Sequence, residues 1–354
     1  MNKARVTKAF QRINVLPARA FAIFMGVWGV IEALGNWSIK PYDNNFLGFI
    51  LTVIILVLVT EFAIYYFKIE KSRGNLIDAL TDEAERMLDE KRYDEILRRR
   101  NILSRTLWVE GKPNERIKLG EIAKEAAIRT GDIKTQTEIL IDDLGWTLVS
   151  VQRYKEAKEY LEHGLNSAIS IKDNYLAAKA NRHLAGILLE AKSFQQAKEK
   201  MQNAEAFAQQ ITDEKKKNEM LAGIYYGLSV ILLQEKNTQK ALEYAEESEK
   251  LRISIDDQTR YVKIYSLKGT IYEAQGNKNL AEENFIKGLE VSTKLRRTDE
   301  MIRNHLGLAR IAKSRNDEKR HDQHVNIAED LLKKTPIPFK IDEKEISLIQ
   351  IGLP

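Results

Sequence analysis

Ala157, Ala197, Ala241 and Ala281 recur at intervals of 40, 44 and 40 residues, inside a stretch from Pro113 to Pro336 with no intervening proline. No other feature narrows the fold as far. Proline removes an N–H and clashes with the preceding turn, so its absence permits long uninterrupted helices. A small residue returning at a fixed period marks a unit that cannot bury its apolar face alone and must stack on copies of itself. Each alanine lies on a second helix, after a turn and a first-helix phrase: Leu144-Gly145, Leu184-Ala185, Leu228-Ser229 and Lys268-Gly269. A fifth phrase, Leu306-Gly307, opens a last unit whose second helix, Lys319 to Lys334, lacks the alanine. Charged residues make up 30% of the chain and crowd the outer faces of these helices, as a water-facing array requires.

The units read in register. The clearest holds Leu144-Gly145, Leu148, Tyr154, Ala157, Leu161 and Gly164, and the next Leu184-Ala185, Leu188, Phe194, Ala197, Met201 and Ala204. A third has Tyr225, Leu228, Leu232, Ala241, Ala245 and Ser248, and a fourth Tyr265, Gly269, Tyr272, Ala281, Phe285 and Gly288. Small residues let paired helices approach while large ones fill the space between repeats. Upstream, Tyr93 to Thr130 reads as a degenerate unit with Trp108 in its first helix and Gly120 and Ala127 at small positions. Together these phrases resemble the tetratricopeptide repeat family over roughly residues 93–334. The period departs from the family's, near 40 rather than about 34, and adds about one and a half helical turns per pair. The closing proline is missing. Such lengthened repeats are similar to those of bacterial signalling and sensor proteins.

The resemblance implies an all-α fold: a tetratricopeptide-like α-solenoid, a right-handed superhelix of helix pairs whose first helices line a concave groove. Groove-facing spacing then selects Asp142 and Trp146, Lys179 and Arg182, Tyr226 and Val230, Lys263 and Ser266, and Asn304 and Leu308. This mixture of cations, aromatics and amides suits a protein or peptide of acidic character, the alternative being that the cations are simply solvated. Chaperone-binding members clamp a terminal carboxylate with paired asparagines, and here Trp146 and Gly186 stand where asparagine would be needed.

Ahead of the repeats lie two apolar segments, about 18–38 and 46–67; roughly 20 residues cross the hydrocarbon, a length the second reaches outright and the first only when its ends from Val15 to about Ile39 are counted. They read as a two-helix transmembrane hairpin within residues 20–67, followed by a juxtamembrane linker over 68–92. The leader, residues 1–19, carries five basic residues and no acid, with Val6, Phe10, Ile13 and Leu16 near one helical face. Lys68, Lys71 and Arg73 follow the second span, so both flanks are expected on the cytoplasmic side of, by this reading, a bacterial inner membrane. A cleaved secretory signal is the competing reading, opposed by Glu32 where cleavage would fall. Glu32 and Glu61 sit within the spans, either snorkelling to the interface or lining a proton or ion path. Ala22 and Gly26, like Gly29 and Ala33, are four apart and allow close helix packing, within the hairpin or between copies in a homo-oligomer.

The remaining composition excludes more than it names. Zero cysteines remove disulfides, thiolate metal sites and cysteine nucleophiles. A net charge of +5 falls largely in the leader, so no nucleic-acid partner is expected. No phosphate loop, His-Glu-x-x-His or Gly-x-Ser-x-Gly occurs, and neither catalytic residues, a cofactor nor a metal site is expected. His321 and His324, three apart, read as surface polarity, and Asp142-Asp143 and Asp256-Asp257 as helix-start or solvated residues. Past Thr335, the tail 335–354 places Phe339, Ile341 and Ile346 to cover the last repeat, or to bind a partner. The chain is therefore expected to be a non-enzymatic, membrane-anchored scaffold or sensor for a cytoplasmic protein or peptide. A signal-gated membrane-disrupting effector and an assembly factor for a membrane complex are the alternatives.

Overall fold

The computed structural model describes residues 79, 81–255 and 258–333. The leader, both expected transmembrane segments with Glu32 and Glu61, the Asp256-Asp257 pair and the tail lie outside the described residues. Among the described residues, no helix is long and apolar enough to cross a membrane.

A helical segment over 81–89 precedes six helix pairs. The pairs are α1 (Tyr93–Val109) with α2 (Pro113–Thr130), then α3 (133–150) with α4 (Tyr154–Ser170), then α5 (Asn174–Glu190) with α6 (Phe194–Ala208). They continue with α7 (Glu214–Gln234) and α8 (Thr238–Ser254), α9 (Gln258–Ala274) and α10 (Lys278–Lys294), and α11 (Thr298–Ser314) and α12 (Glu318–Lys333). Each helix packs on its partner and on the helix that follows, as the repeat register requires.

The connections explain the helix lengths. Most are three residues long, and the middle one is left-handed. In Val151-Gln152-Arg153, Gln152 has φ 65°, its N–H donates to the Val149 carbonyl and that of Arg153 to the Leu148 carbonyl. This crossed pair satisfies the orphan carbonyls of α3 and delivers Arg153 as the start of α4. Lys172, Lys192, Lys236, Arg296 and Asn316 take the same role at positive φ. Asp132, Asp173, Asp213, Asn237 and Asn277 cap the helices that follow them by accepting the N–H three residues on.

Large side chains enter the space beside small ones. A Cβ on Gly145 would lie 2.6 Å from Leu161 Cδ2, and one on Gly120 2.8 Å from Leu144 Cδ2. Phe285 fills both Gly269 and Gly307, its Cε1 lying 2.5 Å from either added Cβ. The four periodic alanines are wholly buried.

Two expectations are corrected. The last unit's phrase is two residues out of register: a 40-residue step from Gly269 reaches Ala309, which faces α12, whereas Gly307 faces α10 of the preceding pair through Phe285. The missing alanine of α12 is His321, which is buried rather than surface-polar and donates from Nδ1 to the Ala309 carbonyl at 3.2 Å. Its neighbour His324 is likewise engaged, with Nδ1 3.0 Å from Nδ1 of His305. Burial, with His324 adding to it, pushes His305 down to about 4.

Candidate functional site

The odd-numbered helices, the first of each pair, line one groove of about 1770 Å³. Their inward faces repeat at three and four residues, as on Lys179, Arg182, His183 and Gly186 of α5, because these positions share one side of a helix. Eleven Lys and Arg side chains line the groove, against the carboxylates of Asp142, Asp143 and Glu273.

Eight of the ten residues selected from sequence stand in this wall: Asp142, Trp146, Lys179, Arg182, Tyr226, Val230, Lys263 and Ser266. Asn304 and Leu308 do not. Leu308 is buried in a cluster with Ala281, Phe285 and Ile311. Asn304 is completely buried, its Nδ2 donates to the Glu300 carbonyl at 2.7 Å, and its Oδ1 points at Gly288 on α10. The cause is the same two-residue shift of register. Steps of 40 residues from Lys263, Ser266 and Thr270 arrive at Arg303, Leu306 and Arg310, and these line the groove.

Much of the groove's charge is internally matched between successive first helices. Lys179 Nζ donates to Asp142 at 2.8 Å, and Arg310 holds Glu273 in a bidentate pair with Nε and Nη2 both at 2.9 Å. Arg297 grips Asp299 through Nε at 3.0 Å and Nη2 at 2.7 Å. Ser266 donates to the buried Glu300 at 2.7 Å. Burial lowers the Lys263 ammonium from its ordinary value although Glu300 pulls the other way, and burial raises the Tyr226 phenol.

The α1 end is built differently. Residues Ile139–Trp146 of α3 form a π-helix, whose wider turn is rare and recurs at functional sites. Gly145 permits it, since a Cβ there would come within 2.8 Å of the Leu140 carbonyl oxygen. Asp143, expected to be a helix-start or solvated residue, is instead 1% exposed. It accepts from Arg100 Nε at 2.5 Å, Ser104 Oγ at 2.5 Å and Arg116 Nη2 at 3.1 Å. Arg116 also donates to Thr147 Oγ1 at 2.8 Å. Burial opposes the Arg100 charge, but Asp143 and then Glu138 outweigh it and raise its pKa. For Arg116, burial wins and lowers it.

One turn on, Trp146 stacks on His183 with centroids 4.6 Å apart and planes 28° apart, and meets Trp108 at 5.9 Å. The Arg116 guanidinium lies over the Trp108 ring at 5.3 Å. Burial, then Arg182 and Lys179, hold His183 well below its ordinary pKa, so it stacks as a neutral ring. Sequence reasoning missed Trp108, Arg100 and Arg116 as groove residues, because their unit is degenerate, and missed Asp143 because an adjacent acid pair looks solvated. The signal that could have found Asp143 is its place 40 residues before His183, on the inward face. Charged, aromatic and hydrogen-bonding side chains thus converge on a long open groove, an arrangement that can hold an extended ligand. Among the described residues no cluster of three metal-ligating side chains occurs.

Residues 262–294 match the tetratricopeptide repeat family model, and no curated protein matches the chain. Among solved structures the chain is similar to the apo form of RapI, with TM-score 0.54 and 15% identity, over 68% of this chain and 85% of that one. It is equally similar in fold to the Rap conjugation gene regulator of the plasmid pLS20 in complex with the Phr* peptide, with TM-score 0.54 and 12% identity, over 78% and 79%. At these identities the likeness establishes a shared helical repeat fold.

Proposed function

We propose that this tetratricopeptide-like protein is a membrane-anchored scaffold or sensor that captures a protein or peptide in the groove between its first helices. The observation that carries the reading is the groove itself, basic, aromatic-lined and continuous past all six first helices. The peptide complex of the Rap regulator, a protein of similar fold, adds support. The lengths of the apolar segments 18–38 and 46–67 support an anchor, and the basic residues flanking them support a cytoplasmic side for the repeats. Trp146 and Tyr226 offer rigid rings, and Lys179, Arg182 and Lys263 offer charge-assisted hydrogen bonds.

Cross-linking and pull-down from detergent-solubilised membranes tests the capture, with wild type set against Tyr226→Ala and Lys179→Glu. A partner retained by wild type and lost from both variants is expected. A partner retained equally by all three would refute the groove as its site. Reporter fusions after Asn75 and at Pro354 test the topology, both being expected to report cytoplasm. A periplasmic signal from either would revive the cleaved-signal reading.

A further inference from the structure

The two ends of the groove are not equivalent. Towards α9 and α11 the cations are bound to carboxylates, Arg310 to Glu273 and Arg297 to Asp299. At the α1 end, two nearly buried guanidiniums share Asp143, with only the half-exposed Glu138 beside Arg100 at 3.6 Å. Arg105, one turn along α1, is exposed, lines the groove and has no carboxylate partner among the described residues. Trp108 stands next to these cations with 39% of its surface exposed, one ring face under Arg116. An exposed indole one turn from the exposed, carboxylate-free Arg105 guanidinium matches a ligand that is at once planar and anionic.

We propose that the α1 end of the groove, formed by Arg100, Arg105, Trp108, Arg116 and Trp146, anchors an acidic residue adjoining an aromatic one on the bound peptide. This rests on the groove being a peptide site and specifies what is read there. The peptide's carboxylate meets Arg105 and the outer edge of the Arg100–Arg116 pair, and its ring packs on Trp108. The π-helix makes the anchor possible, because it presents Asp143 to fix the two guanidiniums and Trp146 to back Trp108 from a single element. Single-stranded nucleic acid also combines charge with stacking, but it needs a cationic track along the backbone, and here the track is interrupted by the ion pairs of Lys179, Arg297 and Arg310.

The test pans the full-length protein in detergent with a random dodecapeptide phage library. Enriched peptides are then synthesised and titrated by fluorescence anisotropy against wild type, Trp108→Ala, Arg105→Glu and, further along the groove, Tyr226→Ala. Arg105 is exposed, so its variant is expected to keep the wild-type circular dichroism melt, whereas Trp108 packs on Arg116 and Trp146, so the melt of Trp108→Ala is measured first and binding is titrated well below it. Enriched sequences are expected to carry Asp or Glu beside Phe, Tyr or Trp. Trp108→Ala and Arg105→Glu should each weaken binding by about tenfold. Replacing the peptide's aromatic residue with alanine should abolish the effect of Trp108→Ala and leave that of Arg105→Glu. Peptides weakened by Tyr226→Ala but indifferent to Trp108→Ala and Arg105→Glu would overturn the anchor and leave the groove reading standing. Peptides indifferent to all three variants, or no enrichment over an unrelated protein, would overturn both. Displacement of an enriched peptide by a thymidine oligonucleotide of comparable affinity would overturn the anchor in favour of single-stranded nucleic acid.

Discussion

Replacing Asp143 with asparagine changes almost no volume and removes one charge. That charge is held at 1% exposure and accepts three hydrogen bonds, two of them from guanidiniums. The amide can still accept through one oxygen, but its NH2 group turns a donor toward an arginine, and Arg100 and Arg116 are left facing each other as like charges. Breaking a buried ion pair by removing one partner costs about 3–5 kcal/mol. Glu138 and water in the open groove recover part of this, so ~3 kcal/mol is expected for Asp143→Asn. At roughly 2–4 °C per kcal/mol for a domain of this size, the melt should fall by about 6–12 °C. Stability in a repeat array is held between neighbours, so hydrogen exchange should quicken in α1, α2 and α3 and stay close to wild type in α11 and α12. Adding Arg116→Met to Asp143→Asn removes the second uncompensated cation and should restore part of the loss. A loss under ~1 kcal/mol, or one spread evenly to α12, would refute the view that this carboxylate holds the α1 end together.

Three further outcomes are expected. Gly145→Ala drives a methyl into Leu161 and the Leu140 carbonyl, so thermal melting should show a loss of about 1–3 kcal/mol or more, whereas Gly186→Ala, with open space at its Cβ inside α5, should stabilise by about 0.5–1 kcal/mol. Gly288→Ala alone should destabilise because its Cβ would overlap the Asn304 amide, and adding Asn304→Ala should recover most of the loss in a double-mutant cycle. His305 has a folded pKa of about 4, below its unfolded value of about 6.5, so the unfolded state binds more protons between the two. Its contribution is therefore complete above about pH 6.5 and is lost as pH falls toward 4. His305→Leu should flatten the acid side of the Tm–pH curve, while the buried His183 keeps a remaining slope of the same sign.

The periodic alanines, the proline-free run and the Leu-Gly phrases determined by themselves that this chain stacks helix pairs, because close helix contact demands a small residue at a fixed step and nothing else in the chain repeats so. The same register brought Asp142, Lys179, Tyr226 and Lys263 to one wall without any coordinates, since helical phase alone decides which face a residue shares. It failed where a second glycine competed. Gly307 looks like Gly145 in sequence, and only the position of Phe285 shows that it serves the neighbouring pair, which moves Asn304 from the groove into the packing against Gly288. The Asp143 network joins residues 27 to 43 positions apart, and the π-turn widens a helix that intrinsic propensity would have kept α-helical. Which of two adjacent acids is solvated and which is buried between two arginines depends on what three helices place around it. That information is held by the packing and by no single segment of the chain.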